Sequence, residues 1–135
     1  MQEILAIVRM NKTGATKKAL IEAGVAGFTA FKVMGRGKLV DDPAVIAERK
    51  AAMMAMPGAE EQDAEMLIDG FLDGHRLFPR RMFTMLVHDE DVTGIVEAIM
   101  KANRTENKVG DGKIIVMPML DAVRVRTGES GEDAV

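Results

Sequence analysis

Apolar residues in this chain switch between strand and helix periods in one fixed order, and that order restricts the fold more than any other feature. Residues 4–9 form a short apolar run of the length of a buried strand. A helical stretch opens at Asn11, with Thr16, Leu20 and Ala23 at i, i+4 and i+7, and Gly24 follows as a stop signal. Residues 28–34 alternate and are rich in aromatic and β-branched side chains, which predicts a second strand; residues 81–87 predict a third. Val92, Ile95, Val96, Ile99 and Met100 make the cleanest helical face. The acidic run Asp89, Glu90 and Asp91 suits the positive end of that helix's dipole. Residues 113–117 predict a fourth strand and 122–126 a short fifth. Strand–helix–strand, insertion, strand–helix–strand is the split βαβ plan. The expected fold is therefore α+β and ferredoxin-like: an antiparallel sheet covered on one face by helices, with a long loop inserted between strands 2 and 3.

At 135 residues one domain, spanning 1–135, is expected, large enough to bury a core without staples. The inserted loop covers residues 38–78, far longer than an ordinary connection. It holds four basic against nine acidic residues, a net charge of −5, whereas the whole chain carries −3 and the remainder therefore +2. Within it, residues 43–56 predict an amphipathic helix stopped by Pro57-Gly58. Met53, Met54, Met56 and Met66 give the loop either an adaptable partner-binding face or a small cluster that folds it on itself. Residues 128–135 are polar, and a flexible tail is expected.

Several function classes lose their chemistry here. Cys, Trp and Tyr are absent, and Ser130 is the single serine, which removes disulfide scaffolds, thiolate metal sites and thiol nucleophiles, and leaves little for a serine hydrolase. The acidic balance disfavours a non-specific nucleic-acid binder. No apolar run has the length of a membrane span, and with the missing cysteines this predicts a cytoplasmic protein. His75 and His88 have neither metal-ligand spacing nor a thiol partner; they read as a loop residue and a strand-end residue, and no metal site is expected.

Two glycine motifs border strand ends: Gly35-Arg36-Gly37-Lys38 and Gly110-Asp111-Gly112-Lys113. Glycine lets backbone amides approach an anion, and a neighbouring lysine offsets phosphate charge. Arg124 and Arg126, two apart in an extended segment, would share a face, and the guanidinium fork suits phosphate oxygens. Neither glycine motif matches the P-loop or dinucleotide fingerprint. Taken together, the three clusters favour a phosphate ligand.

These residues also carry a family resemblance. Through Gly35-x-Gly37, Gly110-Asp111-Gly112-Lys113-Ile114 and Arg124-Val125-Arg126-Thr127-Gly128-Glu129, the chain resembles the PII family of trimeric nitrogen-status signalling proteins. The resemblance covers residues 1–38 and 79–135. Residues 7–12, 16–24, 35–38 and 76–81 make it most similar to the second of the two PII-like regulators encoded with nitrogenase.

The resemblance implies a homotrimer that binds ATP or ADP in the clefts between subunits. It puts the phosphates at Gly35, Gly37, Lys38, Gly110, Asp111, Gly112, Lys113, Arg124 and Arg126, and the adenine near Ile7, Thr29 and Leu86. It puts 2-oxoglutarate, held with Mg-ATP, at Gly37, Leu39 and Arg80, where Arg80 stands for the family's lysine and can grip a carboxylate with two parallel bonds. Leu39 replaces a glutamine that helps hold the metal, and an alkyl chain cannot ligate a hard cation. Either 2-oxoglutarate binds through loop carbonyls and Arg80, or this response is lost. Glu106-Asn107 likewise replaces a Thr-Gly pair. The implied partners are dinitrogenase and a sister PII-like subunit, with loop 38–78 as the regulatory contact. That loop has no Tyr or Ser, so the covalent switching used by many relatives has no substrate in it.

No catalytic residue is expected. The rivals are a PII-like regulator of another enzyme or transporter, a small ATP-using enzyme with Asp111 as its base, and a structural or metal-tolerance trimer without nucleotide.

Overall fold

The apolar run at residues 4–9 becomes a strand whose two sides meet different surroundings. In the computed structural model, which describes residues 1–37, 44, 47–48, 51, 55, 77–106 and 110–135, β1 spans Gln2–Arg9 with Ile4, Ala6 and Val8 buried. A single turn of 3-10 helix, Met10–Lys12, leads into α1, Thr13–Glu22. The helix ends in a Schellman arrangement. The Val25 and Gly24 N–H groups donate to the Leu20 and Ile21 carbonyls, 3.1 Å each, and Gly24 sits at φ 80°. β2 follows at Thr29–Gly35, and β3 at Phe78–Val87. A turn at Asp89–Asp91 precedes α2, Val92–Asn103, and β4 is Lys113–Pro118.

The sheet order is β2-β3-β1-β4. β1 is central and runs antiparallel to both neighbours, from Gln2 opposite Val87 to Arg9 opposite Arg80, and from Gln2 opposite Pro118 to Ile7 opposite Lys113. This is the expected ferredoxin-like α+β arrangement. β3 begins three residues before the predicted 81–87. Pro79 lies beyond the last rung of the β1–β3 ladder, so its missing N–H costs that ladder nothing.

Leu20 from α1 and Ile95 and Ile99 from α2 pack with Ile4, Ala6, Val8, Phe83, Met85 and Val87. One polar link joins the two helices inside this layer. The Asn103 amide donates to the Thr16 hydroxyl and the Ile99 carbonyl, 2.9 Å each, and Thr16 Oγ1 donates to the Lys12 carbonyl at 2.8 Å. Both side chains are buried, so these bonds replace the water each polar group has lost. Strand alternation turns Leu5, Ile7, Met82, Leu86 and Ile115 to the opposite face.

The predicted fifth strand at 122–126 does not form. A single bridge joins Val123 to Ser130, and between them the Thr127 and Gly128 N–H groups both donate to the Arg124 carbonyl, at 3.2 and 2.8 Å. Gly128 at φ 74° supplies the left-handed conformation that closes this turn. Arg124 and Arg126 therefore lie in a tight turn and not along one face of an extended segment. Beyond it, residues Gly131–Ala134 make a further 3-10 turn.

The chain divides into two units, one of Met1–Val33 with Pro79–Val135 and one of Met34–Phe78. In the second, Ala44, Ala47, Glu48 and Ala51 have helical backbone, and the Ala55 N–H donates to the Ala51 carbonyl at 3.1 Å. These residues fall within the helix predicted over 43–56.

Candidate anion-binding site

β1 ends in a cation, and that cation meets the second glycine motif. Gly110 (φ 96°) and Gly112 (φ 120°) both hold backbone conformations that side-chain-bearing residues rarely adopt. A methyl group at Gly112 would stand 2.2 Å from the Ile7 carbonyl oxygen, so the loop passes directly over β1. Lys113, the next residue, opens β4 opposite Ile7.

The Asp111 carboxylate is held within the protein. Its Oδ1 accepts from the Thr105 hydroxyl at 2.5 Å, its Oδ2 from the Thr105 N–H at 2.8 Å, and Arg9 Nη2 lies 3.1 Å from Oδ1. Arg9 Nε also donates to the Gly110 carbonyl at 2.9 Å. Partial burial would raise the Asp111 pKa, but the two Thr105 bonds and the charges of Arg9 and Lys12 outweigh it and leave the pKa below its ordinary 3.8. The Asp111 carboxylate is thus paired within the protein, between two glycines in left-handed backbone and beside Lys113. Behind it lies a cleft of about 370 Å³ lined by Val96, Ile99 and Met100 of α2 and by Asp111, Gly112 and Lys113.

The other double cation lies elsewhere. Arg124 Nη1 is 2.6 Å from Glu129, and Nη2 donates to the Val135 carbonyl at 3.3 Å. Thr127 donates to the same Glu129 carboxylate at 2.7 Å. Arg126 is exposed. The segment is fastened by Glu132, which meets the Met1 amine at 2.7 Å and His88 Nδ1 at 2.8 Å, at the end of β1 remote from Arg9. Asp89 lies 2.8 Å from the same amine.

This fastening titrates. The Glu132 hydrogen bond raises the His88 pKa above 6.5 despite some desolvation, and the charges of Glu132, Glu90 and Asp91 act in the same direction. Bonds from the Met1 amine and His88 hold Glu132 below 4.5. A raised histidine stabilises below its unfolded value and loses that contribution as pH climbs through its folded one; a lowered carboxylate does the reverse. The contact is therefore complete between pH 4.5 and 6.5 and weakens on either side. In an NMR titration between pH 6.5 and 8.0, below the range in which the Met1 amine loses its proton, the amides of residues 131–134 should move with the His88 ring and stay still in His88→Ala. A His88 ring titrating at its ordinary value would show that the pair does not form in solution.

The sequence-derived residues are distributed as follows. Ile7, Gly110, Asp111, Gly112 and Lys113 come together, and Arg80 shares their end of the sheet, opposite Arg9. Leu86 pairs with Glu3, four positions along β1 from Ile7 and about 13 Å away at strand spacing. Thr29 is exposed at the start of β2, and Arg124 and Arg126 sit in the fastened turn. Gly35 ends β2 and Gly37 is exposed just after it, both in the second unit. Lys38, Leu39, Met53, Met54, Met56 and Met66 lie outside the described residues. Arg9 and the His88–Glu132 pair carry contacts that no spacing in the sequence announces, because each joins positions far apart in the chain; Thr105 is only six positions from Asp111, but no motif marks it. Among the described residues no cluster of metal-ligating side chains occurs, and no helix is long and apolar enough to cross a membrane.

The sequence comparisons agree with one another. The family model described as Nitrogen regulatory protein P-II matches residues 1–129. The chain is 43% identical over 135 residues to "Nitrogen fixation nifHD region GlnB-like protein 2" of Methanobacterium ivanovii, covering 100% of this chain and 99% of that one. It is 39% identical to the protein of the same description from Methanothermobacter marburgensis and 36% identical to "Nitrogen regulatory protein P-II" of Rhodobacter capsulatus, with full coverage of both chains in each case.

Proposed function

Because this chain belongs to the nitrogen regulatory protein P-II family, whose members are signalling regulators rather than enzymes, we propose that it is a cytoplasmic, ligand-responsive regulator of nitrogenase. In this reading it binds ATP or ADP at the Gly110–Lys113 loop, binds 2-oxoglutarate with Mg-ATP near Arg80, and controls dinitrogenase by direct contact through loop 38–78. High 2-oxoglutarate, a sign of nitrogen shortage, relieves inhibition. The relatives named for the nifHD region support nitrogen fixation as the process served.

One observation carries the nucleotide half of the proposal: two glycines in left-handed backbone beside Lys113, with the intervening carboxylate bonded to Arg9 and Thr105. Such a loop can turn N–H groups toward phosphate without a competing negative charge. The same bonds count against the ATP-using enzyme, since an Asp111 held by three donors is poorly free to take a proton.

A homotrimer reconciles the scattered residues. Arg124 and Arg126 belong to a segment fastened at the Met1 end of β1, and the glycine loop lies at the Arg9 end. A nucleotide that met both clusters would lie between two copies of the chain. The apolar face bearing Leu5, Ile7, Met82, Leu86 and Ile115 also needs a cover, which a trimer provides. A sister PII-like subunit would join such an assembly at the target.

Calorimetry tests the reading. ATP and ADP are expected to bind the unaltered protein, and 2-oxoglutarate to bind only with Mg-ATP present. Binding of nucleotide without any 2-oxoglutarate response would remove the metabolite-sensing half and would fit Leu39 standing in place of a metal-holding glutamine. No nucleotide binding at all would remove the whole proposal.

A further inference from the structure

We propose that Arg9 is the positioning residue of the phosphate loop, holding the Gly110–Gly112 backbone in its receptive conformation without itself touching the nucleotide. The proposal rests on the nucleotide-binding reading above.

Three groups drawn from two places in the chain converge on one guanidinium. Arg9 Nε takes the Gly110 carbonyl at 2.9 Å, Nη2 lies 3.1 Å from the Asp111 carboxylate, and Nη1 reaches the Thr105 hydroxyl at 3.4 Å. Arg9 and Asp111 side chains are only 20% and 23% exposed, so the pair is shielded from most screening by salt. A planar fork holds these contacts in a fixed relation, which a lysine on a flexible stem cannot do.

The loop needs this hold for two reasons. Gly110 and Gly112 hold left-handed backbone here, and in a free chain each would occupy it only part of the time. Asp111 stands between them, and an unpaired carboxylate there would repel the phosphate that the amides attract. Arg9 removes both problems with one side chain: it draws the carboxylate inward, offsets its charge, and fixes the Gly110 carbonyl on the side away from an incoming anion. Thr105, bonded to both carboxylate oxygens, completes the clasp.

The test compares ADP and ATP affinities by calorimetry. Loss of a charge-assisted contact of this kind predicts that Arg9→Gln weakens both nucleotides by the same factor, about tenfold or more. The loss acts through Asp111, so the Arg9→Gln, Asp111→Asn double variant should bind no more weakly than Arg9→Gln alone. Amides of Gly110–Lys113 should exchange with deuterium faster in Arg9→Gln, with the rest of the sheet unchanged. A cation that touched the terminal phosphate would instead cost ATP more than ADP and would add to the effect of Asp111→Asn; that result overturns the proposal. If Arg9→Gln does not fold, Arg9→Lys and Thr105→Val carry the test, each expected to weaken both nucleotides equally, and unchanged affinity in both overturns it. Failure of the unaltered protein to bind either nucleotide defeats the nucleotide reading itself before any variant is compared.

Discussion

Gly112→Ala is expected to abolish nucleotide binding and to cost about 3 kcal/mol or more of folding stability. Two independent penalties act at this position. The residue sits at φ 120°, where a Cβ meets its own backbone, a strain of roughly 1–3 kcal/mol. The same Cβ would stand 2.2 Å from the Ile7 carbonyl oxygen and 3.3 Å from the Val8 Cα. Both obstacles are backbone of the central strand, which cannot rotate aside as a long side chain would, and overpacking of this kind costs about 1–3 kcal/mol more. The loop must lift from β1 or the β1–β4 ladder must slip at Ile7 opposite Lys113. Either response moves the amides and the lysine that the proposed site relies on. Denaturant unfolding and nucleotide calorimetry on the same variant check both halves. By contrast, a Cβ at Gly37 meets nothing within 4 Å and Gly37 has no left-handed φ, so Gly37→Ala should leave stability nearly unchanged.

Phe83→Ala should be the most destabilising core truncation, by about 3–5 kcal/mol. Phe83 is wholly buried and, among the described residues, is the largest of the fully enclosed side chains. Its ring meets Phe28 edge-to-face, with centroids 5.7 Å apart and planes at 67°, the geometry in which a ring's positive edge faces its neighbour's negative surface. Its strand lies beside β1, so the cavity would open under the middle of the sheet and could not collapse from the surface. A loss of this size consumes a large fraction of the stability of an ordinary domain and should lower the melting temperature by roughly 10 °C or more. Phe83→Leu keeps most of the buried volume and should lose far less. Equal losses for the two substitutions would mean that the aromatic contact, and not the filled volume, sets the cost.

How far the sequence revealed these features depended on the range of the interactions involved. α2 was legible because Ile95 and Ile99 repeat at helical spacing and their burial follows from that repeat alone. The plan followed from the order of strands and helices along the chain, and the strands from short apolar runs and from the alternation at 28–34. The misreading at 122–126 came from the same rule: alternating Val and Arg resembles a strand, but Gly128 and the two N–H groups that return to the Arg124 carbonyl make a turn. For the site, the glycines announced their backbone freedom, since that is a property of one residue. Asp111 could not announce its partners. Thr105 stands only six positions away, but Arg9 is brought against the carboxylate by the fold alone. The His88–Glu132 contact was illegible for the same reason, because it joins a strand end to a tail 44 positions away.

The central position of β1 has a consequence for how the chain is made. Gln2–Arg9 is synthesised well before both strands that flank it, Phe78–Val87 and Lys113–Pro118. Until they emerge, Ile4, Ala6 and Val8 have no sheet to join, and the entropy of closing these long loops must be met before any ladder forms. Folding of this domain consequently waits on Lys113–Pro118, is slower than that of a helical bundle of equal length, and leaves an apolar strand unpaired until its partners are made.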